Sequence, residues 1–146
     1  MASDSWFKSF ADVVENLPMT VLLTLPDAAA DFTLIYANRL SEYFTGSSRV
    51  DMLGLSCPFF SSEDLFETSC VSRLRSNLSA AIPCRASLTI KRKNGSRFSG
   101  TILNKPMFDT LGKHRFTVSV LCDGCDDNTV RSMGDFLCLV PNIISV

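Results

Sequence analysis

Residues 84–104 read CRASLTIKRKNGSRFSGTILN. On either side of Lys93-Asn94-Gly95-Ser96 the chain carries β-branched and aromatic residues spaced by polar ones, the pattern of a half-buried strand. Asn-Gly between two such stretches favours the positive φ of a tight reversal, so the two halves are predicted to pair as an antiparallel hairpin. Beyond them, Asp109 and Gly112 mark a second reversal, and residues 115–122 (RFTVSVLC) form a third strand.

Toward the N-terminus the period changes. Pro83 closes a helical pattern carried by Leu65, Val71, Leu74 and Leu78, which Ser62 followed by Glu63 and Asp64 would begin. Residues 20–25 (TVLLTL) and 32–36 (FTLIY) are strand-like runs separated by Pro26-Asp27 and small residues, an early hairpin. Asn38 is placed to cap a short helix running to Thr45, with Gly46 suited to its exit. Helices are expected at both ends. Phe7, Phe10, Val13, Val14 and Leu17 form one stripe, ended by Pro18, and Val130, Met133, Phe136 and Leu137 form another, bounded by Pro141. The expectation is an α+β fold: a five-stranded antiparallel sheet with short helices on one face and a flanking helix at each terminus. The chain divides into an N-terminal flanking helix (1–17), a central domain (18–126) and a C-terminal helical tail (127–146).

The composition supports a single globular unit. The 146 residues are 46% hydrophobic and 20% charged, which excludes collagen-like and disordered classes. Fourteen Lys and Arg against fifteen Asp and Glu leave a net charge of −1, so neither nucleic acid nor an anionic membrane is indicated. With no apolar run of membrane-spanning length and no visible signal segment, the expected setting is intracellular, cytoplasmic or nuclear. The six cysteines are accordingly read as reduced thiols.

In this order the motifs resemble those of the PAS domain superfamily, and within it the light-oxygen-voltage (LOV) branch of phototropin-like photoreceptors, over roughly residues 17–126. Leu34-Ile35-Tyr36-Ala37-Asn38 is similar to the family's second strand and helix entry, and Phe44-Thr45-Gly46 to its LTGY turn. Gly54-Leu55-Ser56-Cys57-Pro58-Phe59-Phe60-Ser61 resembles GRNCRFLQ, and Val71-Ser72-Arg73-Leu74-Arg75 resembles V-x-K-I-R. Lys105-Pro106-Met107 with Asp109 and Gly112 is similar to the hairpin before the last strand, and Cys122-Asp123-Gly124-Cys125-Asp126 to the closing LDGSD.

The resemblance implies flavin mononucleotide (FMN) held beside a thiol that adds to the photoexcited ring. Cys57 falls at that position, and Arg75 at one of two phosphate-binding arginines; the other is replaced by Pro58. The amides of the cysteine motif become Ser56 and Ser61. The two ring-contacting asparagines become Ile90 and Gly100, and the signalling glutamine becomes Leu121. Each amide lost from a buried polar edge costs about 1–3 kcal/mol, enough together to weaken binding by orders of magnitude. The resulting expectation is a LOV-like sensory or interaction module with weakened or lost flavin binding. The alternative is an FMN-binding blue-light photoreceptor forming a Cys57–flavin adduct. A third reading takes the more apolar pocket to hold a lipid-like or aromatic molecule, and Cys57 itself also reads as a small buried hydrophobe.

Other chemistry is thinly supported. Cys122 and Cys125 have C-x-x-C spacing but no second ligand pair, so no metal site is expected. The single histidine, His114, stands between Lys113 and Arg115 and reads as a solvated turn residue; Lys91-Arg92-Lys93 reads as a solvated loop. No free-standing enzyme is indicated. Partners are expected to be another protein or a second copy, met through the terminal helices and the outer sheet face. The same helices also suit a simpler role, completing the domain's own core.

Overall fold

The computed structural model describes residues 2–27, 32–57, 68–124 and 126–144. Along the chain lie α1 (Ala2–Val14), β1 (Thr20–Thr24), β2 (Leu34–Ala37), α2 (Leu40–Thr45), α3 (Arg49–Met52) and α4 (Thr68–Ser79). They are followed by β3 (Cys84–Lys91), β4 (Arg97–Asp109), β5 (His114–Asp123), α5 (Asp127–Leu139) and β6 (Ile143–Ile144). Five strands form an antiparallel sheet in the order β2-β1-β5-β4-β3.

The 84–104 hairpin forms in the expected sense, with Leu88 opposite Gly100, Ile90 opposite Phe98 and Lys91 opposite Arg97. Its turn is wider than a two-residue reversal. Arg92 N–H donates to the Ser96 carbonyl, and only Gly95 takes a positive φ, of 89°. The Asn94 side chain contributes through Oδ1, which accepts from Ser96 N at 2.9 Å. β4 then continues through Pro106. β3 has already ended at Cys84, opposite Asn104, so the proline sits where a missing ladder donor costs least.

That early end of β3 leaves room for a sixth strand the periodicity did not suggest. Ile143–Ile144 pairs parallel with Phe108 and Asp109, and Phe108 N–H donates to the Asn142 carbonyl at 2.8 Å. The sheet is therefore six-stranded with one short parallel pair. Lys105 Nζ secures the approach by donating to the carbonyls of Leu137 and Val140, the last turn of α5, where a cation is favoured by the helix dipole.

Two apolar clusters lie on opposite faces of the sheet. The inner one joins Leu22, Leu34, Leu88, Ile102 and Leu121 to Met52, Leu74 and Leu78 of α3 and α4. The outer one joins Val21, Leu23, Val118 and Val120 to Phe10 and Val14 of α1 and to Met133 and Leu137 of α5. Trp6 stacks between Phe10 (5.1 Å) and Phe116 of β5 (5.7 Å). Thus both terminal helices complete this chain's own core, each fully buried apolar side chain contributing about 1.5–3 kcal/mol. Val13, counted in the sequence stripe, instead points outward at 69% exposure.

Two further expectations change. Asn38 does not cap α2: the residue preceding that helix is Arg39, with no side-chain cap. The Asn38 side chain is fully buried, where Oδ1 accepts from Val21 N (2.9 Å) and Nδ2 donates to the carbonyls of Val14 (2.9 Å) and Met19 (2.8 Å). It was wanted more by the unpaired groups between α1 and β1 than by the helix. His114 opens β5 half-buried, its Nε2 within 3.0 Å of the Phe116 carbonyl and 3.1 Å of Thr117 Oγ1, and its ring against Phe108. Burial, only partly offset by the Phe116 carbonyl, holds its pKa below the usual histidine value. Gly46 does close α2 as expected, at φ 71°.

Candidate functional site

The segment leading to Cys57 is fastened to β2. Gly54 N–H donates to the Leu34 carbonyl and Leu34 N–H to the Leu55 carbonyl, both at 2.8 Å, and Cys57 N–H donates to the Phe32 carbonyl at 3.0 Å. Ser56 bridges Thr33 across the same seam. Cys57 is thereby carried into the inner cluster, with no exposed surface, among Phe32, Leu34, Met52, Leu74 and Leu121. Ser56 is exposed and takes no part in that cluster.

Phe32 is the strained member of the seam. Its φ is 59°, a conformation that bulky residues rarely adopt. Its ring is nearly fully buried, with the Arg75 guanidinium 5.2 Å above its centroid. Arg75, the expected phosphate ligand, is thus half-buried at the edge of the inner cluster, stacked on an aromatic ring.

Leu121 and Gly100 lie on the inner face. Leu121 is fully buried in β5, opposite Ile102 and Thr20. Gly100 is buried in β4 between Leu88 and Asp123. Ile90 stands in β3 opposite Phe98. Ser61, Pro58 and Cys125 lie outside the described residues, as does the Ser62–Asp64 signature.

A polar set that the motif comparison overlooked lies on the same face. Asn104 follows Ile102 by two residues and Ser119 precedes Leu121 by two, so strand alternation alone brings them inside. Ser119 Oγ donates to Asn104 Oδ1, and Asn104 Nδ2 donates to Cys84 Sγ at 3.3 Å. These groups satisfy one another across three strands. By contrast, the Thr20 and Thr24 hydroxyls of β1 are fully buried and have no hydrogen-bond partner. They flank Leu22 on the same face, and Thr20 sits directly opposite Leu121.

The model of one family matches residues 19–123, described as a PAS domain. The chain belongs to the PAS domain family. Solved structures similar to this PAS domain include LOV domains. One is the LOV domain of a blue-light activated histidine kinase from Erythrobacter litoralis EL346, 28% identical, with a TM-score of 0.65 over 74% of this chain and 97% of that one. Another is the Rhodobacter sphaeroides LOV protein, 16% identical, with a TM-score of 0.73 over 89% of this chain and 75% of that one. A third is an RNA-binding LOV receptor, 18% identical, with a TM-score of 0.72 over 95% of this chain but only 38% of the receptor. No curated protein sequence matches.

The LOV likeness implies FMN, and the described residues of this PAS domain do not fit the polar edge of its ring. Gly100 and Leu121 present no hydrogen-bonding side chain, and the one buried amide of β4, Asn104, is already engaged by Ser119 and Cys84. Among the described residues, the Thr20 and Thr24 hydroxyls of β1 are the buried side-chain polar groups left without a partner that could serve a polar ligand.

Proposed function

We propose that this PAS domain is a LOV-derived sensory and protein-interaction module that does not depend on flavin photochemistry, and that it is not a free-standing enzyme. The observation that carries the reading is the inner face itself. Where a ring-binding site needs donors and acceptors aimed at a ligand, Asn104, Ser119 and Cys84 are bonded to one another, and Leu121 packs into the cluster that holds Cys57. Restoring ligand bonds there would first require breaking internal ones, and an unpaired buried group costs about 1–3 kcal/mol. In this reading Cys57 is a packing thiol and Arg75 a stacking cation.

The division into 1–17, 18–126 and 127–146 becomes a division of labour: a sensory core between two helices that meet a protein partner or a second copy. Because the apolar stripes of α1 and α5 are spent on the outer face of the sheet, a partner meets their outward residues, or meets the sheet after a helix lifts.

An absorption spectrum of the protein, prepared in dim light and then mixed with FMN, tests the reading. The expected result is no structured band near 450 nm (the generic flavin region), with or without added FMN. A band that bleaches in blue light, and fails to bleach in Cys57→Ala, would overturn it in favour of a photoreceptor.

A further inference from the structure

The C-terminal end of α1 is fastened by an ionic clamp whose two other members are attached to the Cys57 segment. Glu15 accepts from Arg49 Nη1, which lies 2.6 and 2.7 Å from its two carboxylate oxygens, and from the Tyr36 hydroxyl at 2.7 Å. Arg49 is held from behind by Glu42, through its backbone N–H at 3.2 Å and its Nε at 3.7 Å, and also reaches the Ala37 carbonyl. Burial draws the Glu15 carboxyl up, but the bonds from Tyr36 and Arg49 and the arginine's charge outweigh it, so its pKa stays below the usual value.

Neither donor is independent of the inner face. Arg49 begins α3, whose Met52 packs with Cys57, and α3 runs directly into the 53–57 segment. Tyr36 lies in β2, and that segment is stitched to Leu34 of this strand and to Phe32 just before it. A shift of the Cys57 segment therefore moves both anchors of Glu15. On the other side, α1 covers β5 through Trp6 and Phe10.

We propose that the Glu15–Tyr36–Arg49 clamp is a conformational latch, which couples the packing of the Cys57 segment to the docking of α1 on the outer face. It rests on the reading of this domain as a module that reports its core through a terminal helix, but it does not require any particular core ligand. Coupling of this kind is reciprocal: whatever loosens one end loosens the other.

Reciprocity sets the test. Two variants of the whole chain are compared by amide hydrogen exchange: Arg49→Gln, which breaks the clamp, and Phe10→Ala, which loosens α1 from the far side. Trp6 is the only tryptophan, so its emission and its quenching by acrylamide report α1 docking separately. In both variants the amides of α1 and those of Gly54, Leu55 and Cys57 are expected to exchange about tenfold faster, the size of effect that bonds to charged groups support. The β3–β4 hairpin is expected to keep its protection. Faster exchange in α1 with residues 54–57 unchanged, in either variant, would overturn the latch, as would no change in α1. Should Arg49→Gln loosen the hairpin as well, Tyr36→Phe removes a single hydroxyl donor and decides by the same two readouts. A flavin band in the absorption experiment would overturn the proposed function and leave these exchange results to stand or fall separately.

Discussion

Replacing Asn38 separates the structural account of this residue from the one its position in the sequence invites. Asn38→Ala removes the acceptor for Val21 N–H and the donor to the carbonyls of Val14 and Met19. The three losses are unequal. Val14 O still accepts from Leu17 N, and Met19 O lies in a partly buried setting that water reaches, whereas Val21 is fully buried. An orphaned buried donor costs about 1–3 kcal/mol. Adding a small cavity and the weaker losses gives about 2–4 kcal/mol, or roughly 5–15 °C in Tm for a domain of this size. Urea unfolding followed by circular dichroism measures it, with an unchanged m-value certifying that stability alone has moved. The discriminating variants are Asn38→Ser and Asn38→Asp. Were Asn38 a helix cap, both would retain most of the stability, because serine and aspartate cap as well as asparagine. The structure requires the opposite: serine is too short to join β1 to α1, and aspartate offers Val14 and Met19 no donor while burying a charge. A loss below about 1 kcal/mol in either variant, against the cost of an unpaired buried group, would refute the reasoning.

Three further outcomes are expected. Ser119→Ala strips Asn104 Oδ1 of its donor and should cost about 1–3 kcal/mol, whereas Ser119→Ala combined with Asn104→Leu, which removes both partners, should cost less than the two single changes added; a double-mutant cycle in urea reads the difference. Leu121→Ala opens a cavity at a fully buried site and should destabilise by about 2–5 kcal/mol, measured as a fall in the urea midpoint. Glu15 has a folded pKa below its unfolded value, so its contribution is fully present above the ordinary carboxylate range and is lost as pH falls through the folded value; stability measured from pH 7 down to pH 3 should fall less steeply in Glu15→Gln than in the parent chain.

The elements were legible because their signals are local. Asn94-Gly95 with flanking alternation announces the β3–β4 hairpin whatever lies around it, and the spacings at Phe10, Val14, Met133 and Leu137 announce two amphipathic helices. What those helices cover is a property of the sheet's outer face, so core and interface were equally open in the sequence. Asn38 was misread for a related reason: a side chain that can serve several orphan groups goes to those that tertiary structure buries most deeply. Ile143-Ile144 gave no signal, because two residues are too few for a period and their strand exists only where β3 ends early. At the candidate site, matching residues to motif positions found the departures at Gly100 and Leu121 but passed over Asn104 and Ser119, two residues along the same strands. Strand alternation, applied to Ile102 and Leu121, was the available signal.

The two faces of the sheet differ in a way that bears on how the domain works. On the outer face α1 packs through apolar and aromatic side chains and is also tied by hydrogen bonds and one ion pair at Tyr36, Asn38 and Arg49; these polar ties are directional, and a displacement of a few tenths of an ångström weakens them. On the inner face the cluster that holds Cys57 is apolar and tolerates such displacements better, while the polar groups farther along the strands, Asn104, Ser119 and Cys84, are bonded to one another. In the proposed latch, a change originating inside is felt most sharply where the directional ties hold α1. Under the proposed latch, the responsive element of this PAS domain is the seam between β2 and α1, joined to Cys57 by the bonds of Phe32 and Leu34.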